Sequence, residues 1–161
     1  MSLDILKVLG ESPARSFSVD WKARFEIQLT KSDFDQVIKI INFEGKFTKG
    51  DMGYFWGFGP EQNAEGWVFR NDFYSGDFKI GTTYEVGGEG FSGLLIEGGG
   101  QMISGGRIHT GKMILDKYSP EQGVVKGRYL KVVTKGGRPD GSELDPAYAS
   151  YINFECWGEP V

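Results

Sequence analysis

From Phe17 to Leu29 the chain alternates without a break. Phe17, Val19, Trp21, Ala23, Phe25, Ile27 and Leu29 occupy one phase, and Ser18, Asp20, Lys22, Arg24, Glu26 and Gln28 the other. A strand turns successive side chains to opposite faces, so the stretch predicts a strand with one dry face and one wet face. Apolar residues two apart lie far apart around a helix, which excludes a helical reading. At about 3.3 Å per residue the strand would run about 40 Å. Strands are usually about five or six residues long, and one of this length bends around something, as in a barrel or a curled sheet.

The same alternation returns downstream. Met52, Tyr54, Trp56 and Phe58 share a phase, as do Trp67, Phe69, Asn71 and Phe73. Phe78, Ile80, Thr82, Tyr84 and Val86 predict a further half-buried strand, and FSGLLIE is a short apolar piece between glycine clusters. Arg107–Asp116 and Val124–Thr134 flank the turn YSPEQG, Gly136–Pro146 reads as a loop, and Tyr148–Trp157 closes the chain. Residues 3–9 (LDILKVL) predict two turns of helix, with Asp4 near the start and Gly10 as the stop. Two readings of Lys31–Phe47 stand. Phe34, Val37, Ile38 and Ile41 are spaced for a helix face behind a Ser32 cap. The β-branched density of VIKII instead favours a turn at Lys31–Asp35 and a strand from Gln36 to Phe47. Short turns joining about eight or nine strands, with no helical pattern between them, predict an all-β antiparallel barrel, lipocalin-like, behind a short N-terminal helix. A sandwich is the alternative. At 161 residues a single domain over 1–161 is expected.

Composition strengthens this picture. The chain has 25 Gly, 12 Phe, 7 Tyr and 4 Trp; aromatic residues suit pleated half-buried surfaces, and glycine clusters supply hairpin turns and bends. A net charge of −4 with scattered basic residues argues against a nucleic-acid partner. The single Cys156 excludes an internal disulfide and a cysteine-built zinc site. The opening MSLDILKVLG has no basic flank and no long apolar run, so no secretory signal is expected there. No segment approaches the about 20 apolar residues of a membrane helix. A soluble, cytoplasmic protein with no membrane partner is the expectation.

Polar residues that share a phase with the apolar face would point into a barrel. Tyr54, Asn71, Thr82 and Tyr84 do so. His109 shares its phase with Gly111, Met113 and Leu115, and Tyr129 with Val125, Gly127 and Val133. Trp21, Phe25, Trp56 and Trp67 would form flat apolar walls. The candidate catalytic residues are therefore Tyr84, His109 and Tyr129. An imidazole suits acid–base work near neutral pH, and a phenol can hold a substrate carbonyl or a developing oxyanion. The candidate ligand-binding residues are Trp21, Phe25, Tyr54, Trp56, Trp67, Asn71 and Thr82. The plainer reading of each is structural: a buried tyrosine sends its hydroxyl to any nearby partner, and no carboxylate has a visible claim on His109, so a triad is unsupported. Glu97, in the apolar run LLIE, is a weaker acid candidate, and Cys156 reads as a small buried hydrophobe. One His and one Cys make no metal site, and no metal or cofactor is expected. GGEGFSG lacks the Lys-Ser/Thr ending of a phosphate loop.

Two stretches carry a family resemblance. RNDFYSGDFKIG resembles the N-x-x-Y-S-G-D passage of plant allene oxide cyclases, at Asn71, Tyr74, Ser75, Gly76 and Asp77. SGGRIHTGKMIL followed by GVVKGRYLKVV resembles the paired late strands of that superfamily, at Gly106, Ile108, Gly111, Gly127 and Tyr129. The superfamily includes dirigent-like proteins and spirotetronate-forming cyclases. The resemblance implies an eight-stranded barrel with an apolar pocket, no cofactor, a hydrophobic small-molecule partner and self-association into a homo-oligomer. The leading functional expectation is thus a cofactor-free isomerase or cyclase that works by shaping its substrate. A non-catalytic lipocalin-like carrier needs the same pocket without the chemistry. A carbohydrate-binding or interaction module would use exposed aromatics such as Phe55 or Trp157, and a filled interior would favour it.

Overall fold

The computed structural model describes residues 19–49, 55–58, 66–74, 77–98 and 103–161, with backbone alone over 55–58. The chain there forms β1 (Val19–Thr30), β2 (Val37–Lys49), β3 (Phe55–Phe58), β4 (Trp67–Phe73), β5 (Thr83–Glu85), β6 (Phe91–Glu97), β7 (Ser104–Ser119), β8 (Val124–Lys135) and β9 (Tyr148–Pro160). A 3-10 turn over Pro120–Gln122 joins β7 to β8. There is no α-helix among the described residues; the helix expected over residues 3–9 lies outside them. Among the described residues no helix is long and apolar enough to cross a membrane.

The strands make one curled, barrel-like antiparallel sheet in the order β5-β7-β6-β4-β3-β2-β1-β9-β8, with a further pairing of β7 to β8. The first strand thereby pairs with the last, Phe25 opposite Phe154, and β7 meets both β6 and β8. β1 bears out the alternation that opens the chain. Trp21, Ala23, Phe25, Ile27 and Leu29 are buried, while Lys22 and Arg24 face solvent. Between β1 and β2 the chain takes the turn-and-strand reading rather than the helix. Lys31 N–H donates to Gln36 O at 2.9 Å and Phe34 N–H to Lys31 O at 3.0 Å. The Asp33 carboxylate accepts from Asp35 N–H at 3.0 Å, a local bond that favours a turn over a first helical turn.

Two expectations need correction. The strand expected over Phe78–Val86 shrinks to β5, because the chain turns at Ile80–Gly81. Gly81 takes φ +78 and Thr82 N–H donates to Lys79 O, so the alternation before the turn has no strand to ride on. Ile80 and Thr82 consequently face solvent. The second correction concerns the paired late strands. The β7–β8 ladder slips between Ile108 and Thr110, between Thr110 and Lys112, and between Leu115 and Lys117. Each slip is an extra residue that moves everything after it to the other face. Lys131 marks one of them with φ +52. Ile108 is buried in place of His109, while Met113 and Leu115, on the phase of His109, are buried beyond the slip. On β8 the buried set runs Val125, Tyr129, then Val132 and Thr134, not Val133.

Rings fill the inside of the curl. Phe25 meets Phe69 edge-on at 5.4 Å, Phe69 meets Tyr129 at 6.2 Å, and Tyr129 meets Phe154 at 5.9 Å. Phe69, Phe73 and Tyr129 are 0 % exposed.

Candidate functional site

The residues singled out from the sequence divide by where the fold carries them. Trp21, Phe25, Trp67, Asn71 and Tyr129 are buried. The Tyr129 hydroxyl donates to Asn71 Oδ1, a buried polar link among the rings. Gly93, opposite Asn71 on β6, makes room for it: a Cβ there would lie 3.1 Å from the Tyr129 oxygen. Burial and the nearby Asp72 push the Tyr129 phenol well above its ordinary range, so it stays protonated and acts as a donor. The Asn71 amide nitrogen has no hydrogen-bond partner among the described residues.

The three candidate catalytic residues are not brought together. Tyr84 is half-buried at the edge of the ring cluster, its hydroxyl accepting from Lys79 N–H at 2.7 Å. Phe91 stands between it and Tyr129, with ring centroids 6.4 Å and 6.3 Å from the two. His109 is exposed, turned outward by the bulge next to Ile108. Among the ligand-binding candidates, Thr82 is likewise exposed. Tyr54 lies outside the described residues. Trp56 is placed by its backbone alone, opposite Thr48 and Asp72, whereas Gly57 stands opposite Phe47 and Asn71. Among the described residues no three His, Cys, Asp or Glu side chains cluster as metal ligands would.

Among the described residues Phe69, Phe73 and Tyr129 pack the interior without exposure. A void of about 10 Å³ lies beside Phe25, Phe47, Asn71, Phe154 and Cys156, room for about one water at most. A much larger cleft, about 600 Å³, opens at the end of the curl where β1 finishes and β9 begins. That volume lies within the range of small-ligand sites, about 300–1,000 Å³. Leu29, Trp67 and Ala147 form its floor, each 5–6 % exposed. Ile38 stands on one wall at 61 % exposure. The rim is polar, with Lys31 on the β1–β2 turn and Glu97, Ser104 and Asp145 across from it.

Both walls are held in place before any ligand arrives. The Phe34 ring at the turn meets Tyr148 edge-on at 6.2 Å. On the far side the buried Thr134 grips Ala147 twice: its Oγ1 accepts from Ala147 N–H at 2.8 Å and its N–H donates to Ala147 O at 3.1 Å. Gly105 N–H donates to Asp145 O at 2.8 Å, and Ser104 Oγ donates to Glu97 Oε1 at 3.0 Å. The cleft thus has an apolar floor with fixed donors and acceptors around it. Residue phase did not single out this end, because the cleft gathers strand ends and a turn. The available signal was VIKII, where Val37, Ile38 and Ile40 are all exposed although they span both phases of a strand.

Comparison with protein-family models, with curated proteins and with solved structures finds no match.

Proposed function

We propose that this protein is a non-catalytic binding barrel of lipocalin-like type, whose ligand is a small molecule with an apolar body and a polar end. The ligand seats in the cleft at the end of the curl rather than inside it. The observation that carries this reading is the contrast in space: a 600 Å³ cleft with an apolar floor against an interior void of 10 Å³. A cyclase that folds a polyene around itself needs a chamber, and the rings of Phe25, Phe69, Tyr129 and Phe154 occupy the place where one would be. The likeness to the allene oxide cyclase superfamily agrees with the choice of an apolar guest.

The test uses 8-anilinonaphthalene-1-sulfonate, an apolar fluorophore with one anionic end, together with the variant Ile38→Glu. Ile38 lies on the wall and packs into no core, so the fold should be unaffected. Burying an isoleucine side chain against a ligand contributes about 1.5–3 kcal/mol. The variant should therefore bind the dye about ten- to a hundredfold more weakly while its thermal midpoint stays put. Undiminished binding by Ile38→Glu, or no binding by the parent protein, removes the cleft as the site. Mass spectrometry of molecules released from the purified protein would identify the natural guest.

A further inference from the structure

A second concavity lies on the outer wall, lined mostly by polar side chains. It spans β2, β1, β9 and β8 and encloses about 690 Å³. Its construction follows from strand register. Glu44, Arg24, Glu155 and Lys126 stand opposite one another across the four strands. Two residues along, Asn42, Glu26, Asn153 and Arg128 do the same. Between these ladders runs the row Phe43–Phe25–Phe154–Gly127. Phe25 and Phe154 in that row turn into the core, so the floor of the trough is largely backbone. Asp116 closes one end and accepts from Arg128 at 3.4 Å.

Several of the polar groups pair with one another. Arg24 donates from Nε and Nη2 to Glu155 Oε1 at 3.0 and 2.6 Å, and its guanidinium lies over the Trp157 ring at 5.3 Å. Asn153 Nδ2 donates to Glu26 Oε1 at 3.3 Å. The Asn42 amide and the Lys126 ammonium have no partner among the described residues. Four carboxylates face three cations in this lining. The trough therefore offers neither sign of charge a strong field, which disfavours a polyanion such as nucleic acid. What it does offer is a double file of carboxylate, carboxamide and guanidinium groups, each presenting two polar atoms side by side, with the Lys126 ammonium at one end. Successive members across the sheet stand about 4.8 Å apart. A pair of adjacent hydroxyls on a sugar ring, each both donor and acceptor, is the complement of such a group.

We infer that this outer trough is a second binding site, for an extended, uncharged oligosaccharide laid across β2, β1, β9 and β8. It is separate from the end cleft and does not depend on the reading given there.

The experiment is calorimetric titration of the full chain with cellohexaose, mannohexaose, chitohexaose and laminarihexaose in turn. The side-chain amide signals of Asn42 and Asn153 are followed in parallel by nuclear magnetic resonance. At least one of the four sugars should bind and move both amide signals. Asn153→Ala and, separately, Asn42→Ala should each weaken that binding about tenfold. Both residues are exposed, so loss of folding in both variants is not expected, and either one suffices. Affinity should be nearly indifferent to salt, since the ligand carries no charge. The inference is overturned if none of the four sugars binds, if binding survives both substitutions, or if affinity collapses on adding salt.

Discussion

Tyr129 and Asn71 are the two polar side chains that residue phase correctly sends inward, and what they do there is structural. Each belongs to a run whose period stays intact around it: Trp67, Phe69, Asn71 and Phe73 on β4, and Val125, Gly127 and Tyr129 on β8. All of these are buried. Replacing Tyr129 by Phe keeps the ring and removes the hydroxyl, which leaves the Asn71 carbonyl buried and unpaired beside an amide nitrogen that already lacks a partner. Such a loss costs about 1–3 kcal/mol. Urea denaturation should show a drop of that size, and adding Asn71→Leu should restore part of it, because the orphaned amide is then gone. Simple additivity of the two substitutions would mean that the two side chains are not coupled. A few residues away, Asp72 titrates against its surroundings. Desolvation raises its pKa above the ordinary 3.8, and the Arg70 guanidinium 2.8 Å away only partly offsets this. Because the folded pKa is the higher one, the folded chain keeps a proton that the unfolded chain releases. Asp72 therefore withdraws stability as pH climbs upward from 3.8, and the loss levels off once the folded carboxyl has ionised. The stability of the parent protein minus that of Asp72→Asn should fall over this window and then flatten. A difference that is constant with pH would show that Asp72 does not titrate differently in the folded state.

Elements were legible where the period of two persisted and illegible where a backbone irregularity broke it. β1 from Trp21 to Leu29, and β9 over Ile152, Phe154 and Cys156, keep one phase that can be read directly, although β9 shifts register on either side of that stretch. β7 defeats that reading, since its bulges change the face twice, and His109 is misplaced by one of them. FSGLLIE shows a different limit. Ile96 on β6 and its partner Val68 on β4 are 3 % and 1 % exposed, although they face away from Leu95 and Phe69. A strand buried on both sides loses its alternation and reads only as an apolar run. The start of β7 depends on Gly105, which has φ +103 and would bring a Cβ to 2.1 Å from the carbonyl oxygen of Leu95. Neither the backbone of β6 nor an L side chain at that φ can yield cheaply. Gly105→Ala should therefore destabilise the fold by about 3 kcal/mol or more, read as a shift in the urea midpoint. A midpoint unchanged from the parent would mean that β7 enters the sheet by some other path.

At the scale of the molecule, the decisive pairing is the one that local sequence cannot encode. β9 fits between the first strand and β8, with Ile152 opposite Ile27 on one side and Tyr129 on the other. Alternation states which face of each strand is dry but not which strand lies beside it, so a barrel and a sandwich could not be told apart from the pattern alone. Joining the two extremes of the chain also defers closure until the late contacts form, as expected of a fold rich in non-local pairing. Without β9, two long strands would each lose a neighbour. Phe25 would lose Phe154, and the edges of β1 and β8 would stand open to other chains. A chain ending at Pro146 should therefore fail to fold, with a flat near-ultraviolet dichroism spectrum and aggregation on concentration. Supplying residues 147–161 as a separate peptide should restore the native spectrum, since an added strand recovers main-chain bonds on both edges and refills the core with Ala149, Ile152, Phe154 and Cys156. If the shortened chain instead keeps the spectrum and thermal midpoint of the parent protein, β9 is an accessory strand and the ring of pairings through it does not hold the molecule together.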